Sequence, residues 1–426
     1  MDTGTGFQRR APGYLLAGVI LDPASPQEMR RIDGAIAIGV RTETIREVGP
    51  LDRMQRNYPR WPVVRAEDCV ILPVMADART NWAPYNIRGR ASGQSLLEWL
   101  EEVFVEEANF VDPAYAEESA ARFFEDIVRQ GTLTAFVCGP PDQEALATFF
   151  DTPRVGRWYG GTALMDALAP SEFRESTDRV VSQLMDCAFR FGHRFVITPR
   201  LVPACTEELL GTAGSLALDD VFVQTQLGMD ADEVALVRQI SADGGSAVKI
   251  LDRAGLLNSR TLLAHCNHVE ESDWRILSAL DCVIVHTPGS DLALGAARMP
   301  LEKVREYNLR WALGSDVGAA PTLSMLFAMQ SFLHLHEGTC PVTGAEALYR
   351  SCCVIPDMLR HETGRLSPGY SADFAVFHCP EAVKENAADF CLRALVEGSV
   401  EELEGRAMAT IHRGHLVSGG LPELIF

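Results

Sequence analysis

Long apolar runs are missing from this sequence. The longest, such as Asp68 to Ala76, fall far short of the ~20 residues a membrane helix needs, and each is broken by charge or proline. No transmembrane span is expected. The amino-terminal segment Met1 to Pro12 is polar, carries Arg9 and Arg10, and lacks the apolar core of a secretory signal. Positive charge is scarce as well: 38 Lys and Arg against 58 Asp and Glu leave a formal net charge of −20. That excludes sequence-independent attraction to nucleic acid or to an anionic membrane, because both need a basic surface. Eleven cysteines stand singly or as Cys352-Cys353, with no paired CxxC spacing. Neither a zinc knuckle nor a disulfide framework fits them, and a reducing, cytoplasmic compartment is expected. There is no internal repeat, no low-complexity segment, and no Gly, Ser or Pro linker that would mark an independently mobile domain.

What remains is the profile of a globular chain, with 47% hydrophobic and 23% charged residues. Tyr14 to Asp22 and Gly34 to Val48 read as short strands around a Pro23-Ala24-Ser25-Pro26 turn. From Cys69 the pattern becomes buried apolar runs alternating with helical periodicity: Val70 to Met75, Leu133 to Cys138, Phe195 to Pro199, Val221 to Gln226, Thr261 to His265, Val283 to His286 and Trp311 to Ser315. Continuous apolar strands of this kind are buried on both faces, as in a parallel sheet. Strand-and-turn character returns after about Gly364, in Ala372 to His378 and Ala407 to Val417. The expected fold is therefore α/β, a (β/α)8 TIM-like barrel inserted in a small β-sandwich domain formed by both chain ends. Residues 13–68 and 365–426 would form the sandwich and 69–364 the barrel, with functional residues at the carboxyl ends of the strands.

Several phrases sit on those strands: Leu96-Leu97-Glu98-Trp99-Leu100, Ile197-Thr198-Pro199-Arg200, Leu263-Ala264-His265, His286-Thr287-Pro288-Gly289-Ser290-Asp291 and Gly314-Ser315-Asp316-Val317-Gly318. In this order, and with the late Gly364-Arg365-Leu366-Ser367-Pro368-Gly369 turn, the chain resembles the guanine deaminases of the amidohydrolase superfamily from about Tyr14 to Val417. The resemblance implies a zinc held by a His-x-His pair on the first barrel strand, a histidine on each of the fifth and sixth, and an aspartate after the eighth. Alignment on Pro73 to Ala78 puts Arg79 and Asn81 at the His-x-His positions and Gln226 at that of the strand-five histidine, so only His265 and Asp316 remain. A guanidinium has no lone pair to give a metal, and zinc takes about four ligands, three of them from protein at a catalytic site.

Other family positions have changed too. Met229 stands where a proton-shuttling glutamate is implied, Pro84 where a base-reading glutamine is, and Leu201 where an aromatic follows the purine-binding arginine, here Arg200. Arg79 is expected to pair with Asp316, supplying the positive charge that would otherwise leave a buried carboxylate uncompensated. The resulting expectation is a metal-independent enzyme acting on a small polar or heteroaromatic molecule rather than a zinc guanine deaminase. His265, Asp316 and Arg79 would be its catalytic residues, and Arg200, Asn81, Gln226, Trp82 and His286 would line its substrate site. No metal and no cofactor are expected, and the resemblance makes a homodimer the default. Two alternatives stay open: a catalytically silent scaffold, and a zinc-dependent aminohydrolase whose ligand register has been misread. Cys138 and Cys266 read as apolar fillers, and the acidic run Glu98 to Glu107 as a solvated helix face.

Overall fold

The computed structural model describes residues 12–421 except 154, 171–175, 219–220 and 242–243. The amino-terminal segment before Pro12 thus lies outside the described residues.

The two chain ends meet in one seven-stranded sheet. Its strands are β1 (Gly13–Ser25), β2 (Glu28–Gly39), β3 (Thr44–Gly49), β4 (Val63–Pro73), then β13 (Phe374–His378), β14 (Ala407–His412) and β15 (His415–Gly419), in the order β15-β14-β13-β4-β1-β2-β3. β4 is the joint: it runs parallel to β1, pairing Val19 with Val70, and antiparallel to β13, pairing Phe374 with Pro73. Alternation along β1 sends Leu16 and Ile20 to one core, with Ile36 and Ile71, and Leu15 and Ala17 to another against Met54. β1 continues through Pro23 to Ser25, so the hairpin turns at Pro26 and Gln27, later than the proline spacing suggested.

Between these ends lie eight parallel strands. β5 (Met75–Asn81), β6 (Thr132–Gly139) and β7 (Arg157–Thr162) form one sheet; β8 (Val196–Ile197), β9 (Phe222–Leu227), β10 (Thr261–His265), β11 (Val283–His286) and β12 (Arg310–Leu313) form the other. Bridges Gly160 to Phe195 and Leu164 to Pro199 join β7 to β8, and the Asp316 N–H donates to the Arg79 carbonyl at 2.8 Å, tying the end of β12 to β5. All eight strands feed one inner core, including Ala78, Phe136, Tyr159, Val196, Phe222 and Leu262. Neighbours such as Val137, Ile197, Leu263 and Ile284 turn outward beneath the helices, so strand residues of both parities are buried.

Two sequence expectations need correction. The run Val70 to Met75 is not a barrel strand: Val70 to Pro73 belong to β4 in the terminal sheet, and the parallel series starts at Met75. A strand covered on both faces reads as continuous hydrophobicity in either setting, so the pattern could not separate them. β7 was missed because Gly160 and Gly161 interrupt its apolar pattern. Gly161 is required by close approach, since a Cβ there would lie 1.9 Å from the Val196 carbonyl oxygen. No described helix is long and apolar enough to cross a membrane.

Candidate active site

Parallel strands bring their carboxyl ends to one side of the molecule, and there the polar residues converge. Arg79 and Asn81 end β5, Gln226 lies near the end of β9, His265 ends β10, and Arg200 and Asp316 follow β8 and β12. They line one cleft at that end of the strands. Its far wall is the helix Leu96–Glu107, which presents Leu96, Trp99, Leu100, Val103 and Glu107. A reciprocal cap starts that helix, Ser95 accepting from the Glu98 N–H while Glu98 accepts from the Ser95 N–H.

Backbone strain marks two residues of the cleft. His265 and Asp316 adopt φ of 70° and 48°, a left-handed conformation unfavourable for residues with a Cβ. The His265 Nδ1 faces Asp291 Oδ1 at 3.1 Å and Thr287 Oγ1 at 3.0 Å. A carboxylate only accepts, so Nδ1 carries a hydrogen and Nε2 is directed to the cleft, 3.8 Å from Asp316 Oδ2. Burial favours the neutral imidazole, but the Asp291 hydrogen bond and the Asp291 and Asp316 charges outweigh it, and the His265 pKa lies above the usual histidine value. Asp316 is fixed in turn by Asn81, whose Nδ2 donates to Oδ1 at 2.8 Å and to the Val317 carbonyl at 3.0 Å. Arg79 Nε stands 3.6 Å from the same Oδ1.

The second buried ion pair is one the sequence reading missed. Arg200 Nη2 donates to both carboxylate oxygens of Glu107, at 2.6 and 2.5 Å, with both side chains buried. Burial raises the Glu107 pKa, and the Arg200 charge opposes that rise. The solvated-face reading of Glu98 to Glu107 is thus corrected for Glu106 and Glu107, both buried. A signal was available: Leu96, Leu100, Val103 and Glu107 fall at i, i+4, i+7 and i+11, so Glu107 lies on the helix's apolar stripe.

Two expected substrate residues lie elsewhere. Trp82 is buried behind the cleft, its Nε1–H donating to Ser119 Oγ at 3.1 Å and its ring packed edge-on to Phe110. The His286 Nε2 lies 3.1 Å from the His336 Nε2, and burial next to that second imidazole pushes its pKa well below the usual value. His286 faces away from the cleft because β11 alternates, and its carboxylate neighbour Asp291 turns to His265. Cys138 and Cys266 are buried, which raises both thiols; neither is activated as a nucleophile.

The donor set does not fit a zinc ion. Among the described residues no group of three or more His, Cys, Asp or Glu side chains could hold a metal. At the positions the resemblance gives to ligands, the Arg79 guanidinium has no lone pair to offer and stands against the Asp316 carboxylate.

Comparison with known proteins adds a different kind of evidence. The amidohydrolase family profile matches residues 70–399. The chain is 28% identical over 319 residues to the guanine deaminase of Escherichia coli, covering 72% of each protein. It is 27% identical over 296 residues to that of Dictyostelium discoideum, covering 66% of each and so just under two thirds of that relative. The solved structure of guanine deaminase from C. acetobutylicum with bound guanine in the active site superposes with a TM-score of 0.84 at 22% identity, over 95% of this chain and 100% of that one. These relatives overturn the expectation of a metal-independent enzyme outside guanine chemistry: the similar proteins are named for guanine deamination, and none supports metal independence.

Proposed function

Because the chain belongs to the amidohydrolase family, we propose that its cleft receives a guanine-like heteroaromatic ring and that hydrolytic deamination of such a ring is its reaction. The observation that carries this reading is the convergence of Arg200, Gln226, His265 and Asp316 on one cleft in a chain similar to guanine deaminases. With it goes the reading of the eight parallel strands from Met75 to Leu313 as a (β/α)8 barrel, set beside the single seven-stranded sheet that both chain ends form. A cytoplasmic homodimer is the accompanying proposal, supported by the resemblance and by the eleven unpaired cysteines.

In hydrolytic deamination, water adds to the amino-bearing ring carbon, the bond from that carbon to the amino nitrogen breaks, one water proton leaves with the ammonia and the other stays on the adjacent ring nitrogen. No step is routed through a metal, since the residues do not fit one. Arg200, held by Glu107, presents its Nε to a ring acceptor, and the Gln226 Oε1 takes a ring N–H. His265 Nε2 and Asp316 Oδ2 flank the path along which the proton passes. A second reading is favoured by Arg79, whose guanidinium lies against Asp316: the site binds the ring without turning it over.

One pair of measurements on the purified full chain tests both. Guanine binding is read by equilibrium dialysis, and ammonia release is read with and without added zinc, alongside the metal content of the sample. Saturable binding with ammonia release supports deamination. Binding without release under either condition selects the second reading, and no binding at all overturns both.

A further inference from the structure

The cleft offers more unanswered donors than acceptors. Arg79 is 2% exposed, and neither its Nε nor its Nη1 has a hydrogen-bond partner among the described residues. Arg200 is 5% exposed and leaves Nε unpartnered, while its Nη2 is committed to Glu107. A guanidinium can only donate. On the acceptor side stand the unpartnered Gln226 Oε1 and an Asp316 carboxylate whose Oδ1 is already taken by Asn81; the His265 Nε2, also unpartnered, can act in either sense. Three buried donors without a protein partner select a ligand rich in acceptors, because a ligand donor set against them leaves both groups desolvated and unpaired.

Resting on the reading that the cleft receives a guanine-like ring, we propose that it discriminates by ring substituent and binds the 2,6-dioxopurine in preference to the 2-amino-6-oxopurine. The two rings have the same shape. Exchanging the amino group for a carbonyl turns a donor into an acceptor, which meets Arg79 instead of opposing it, while the adjacent ring nitrogen gains a hydrogen that the unpartnered Gln226 Oε1 can accept. Arg79 is then the specificity-determining residue, with Asp316 as the counter-charge that lets a guanidinium stay buried without ligand. Hydrolysis of the amino ring yields this dioxo ring, so the preferred ligand is the product form.

The test is equilibrium dialysis of the full chain against labelled xanthine and labelled guanine at one pH and salt concentration. Xanthine is expected to bind about tenfold more tightly or better. In the double variant R79M/D316N, which removes the guanidinium and its carboxylate together so that no buried charge is stranded, the two ligands are expected to bind within about twofold of each other. Equal or tighter guanine binding by the parent protein overturns the proposal while leaving the guanine-like ring reading intact, and it needs no variant to fold. Retention of the xanthine preference by the folded double variant overturns the assignment to Arg79. Binding of neither ring overturns the ring reading itself.

Discussion

A buried arginine must find its counter-charge somewhere, and at Arg200 the partner is Glu107, 93 residues away in sequence. Removing one member of such a pair strands the other. Glu107→Ala is therefore expected to destabilise the protein by about 3–5 kcal/mol, with Glu107→Gln, which keeps a hydrogen-bond acceptor, less damaging; urea denaturation at neutral pH measures both. Equal stability of Glu107→Ala and the parent would show that the guanidinium finds water or another partner. Asn81 works at the same scale on the other side of the cleft. By bonding both the Asp316 carboxylate and the Val317 carbonyl, it holds the left-handed turn that aims Asp316 at His265. Asn81→Ala is expected to weaken ligand binding about tenfold or more by freeing that turn, read in the same dialysis assay.

At the scale of elements, the helix Leu96–Glu107 closes the cleft, and its first turn rests on the Ser95–Glu98 cap. Ser95→Ala is expected to cost about 1 kcal/mol in urea denaturation. Amide exchange should quicken over residues 95–100 if the helix opens as a unit. In the terminal sheet, Asp373 stands just before β13, against the end of β14 and the turn that follows it. Its Oδ1 accepts from the His412 Nδ1 at 2.9 Å and from the Arg413 N–H at 2.7 Å, and its Oδ2 accepts from the Thr363 hydroxyl at 3.2 Å. Burial alone would raise this carboxyl, yet the His412 hydrogen bond and charge hold its pKa below the usual value. The folded pKa being the lower one, the stabilisation is present above the ordinary carboxylate pKa of about 4 and is lost as pH falls through the folded value. Asp373→Asn should then be less stable than the parent at pH 7, by on the order of 1–2 kcal/mol, with the gap narrowing as the medium is acidified. A gap independent of pH would assign the loss to packing instead.

For the whole molecule, the two chain ends are interdependent. β4 is flanked by β1 from the start of the chain and β13 from its end, and Thr410 Oγ1 in β14 donates to the Val128 carbonyl of the helix Pro113–Arg129 at 2.7 Å. A chain ending at Gly405 would bare the ladder edge of β13 and lose that tie. It is expected to show no cooperative thermal transition by circular dichroism, whereas a melt within a few degrees of the parent would make the last two strands dispensable. Local patterning went far toward this architecture, because hydrophobic runs of the right length record burial on both faces and spaced phrases record shared ancestry. The sequence by itself determined the α/β class, the meeting of the chain ends, and the placing of Arg79, Asn81, Gln226, His265 and Asp316 near the carboxyl ends of strands, since each is a matter of residue identity and pattern along the chain. Only the tertiary structure decided that Val70 to Pro73 join the terminal sheet, that Glu107 is buried against Arg200, that Trp82 and His286 face away from the cleft, and that Asp291 orients His265. Each of these depends on which distant side chain lies within hydrogen-bond or packing distance, and burial and charge pairing are properties of the folded neighbourhood rather than of the residue.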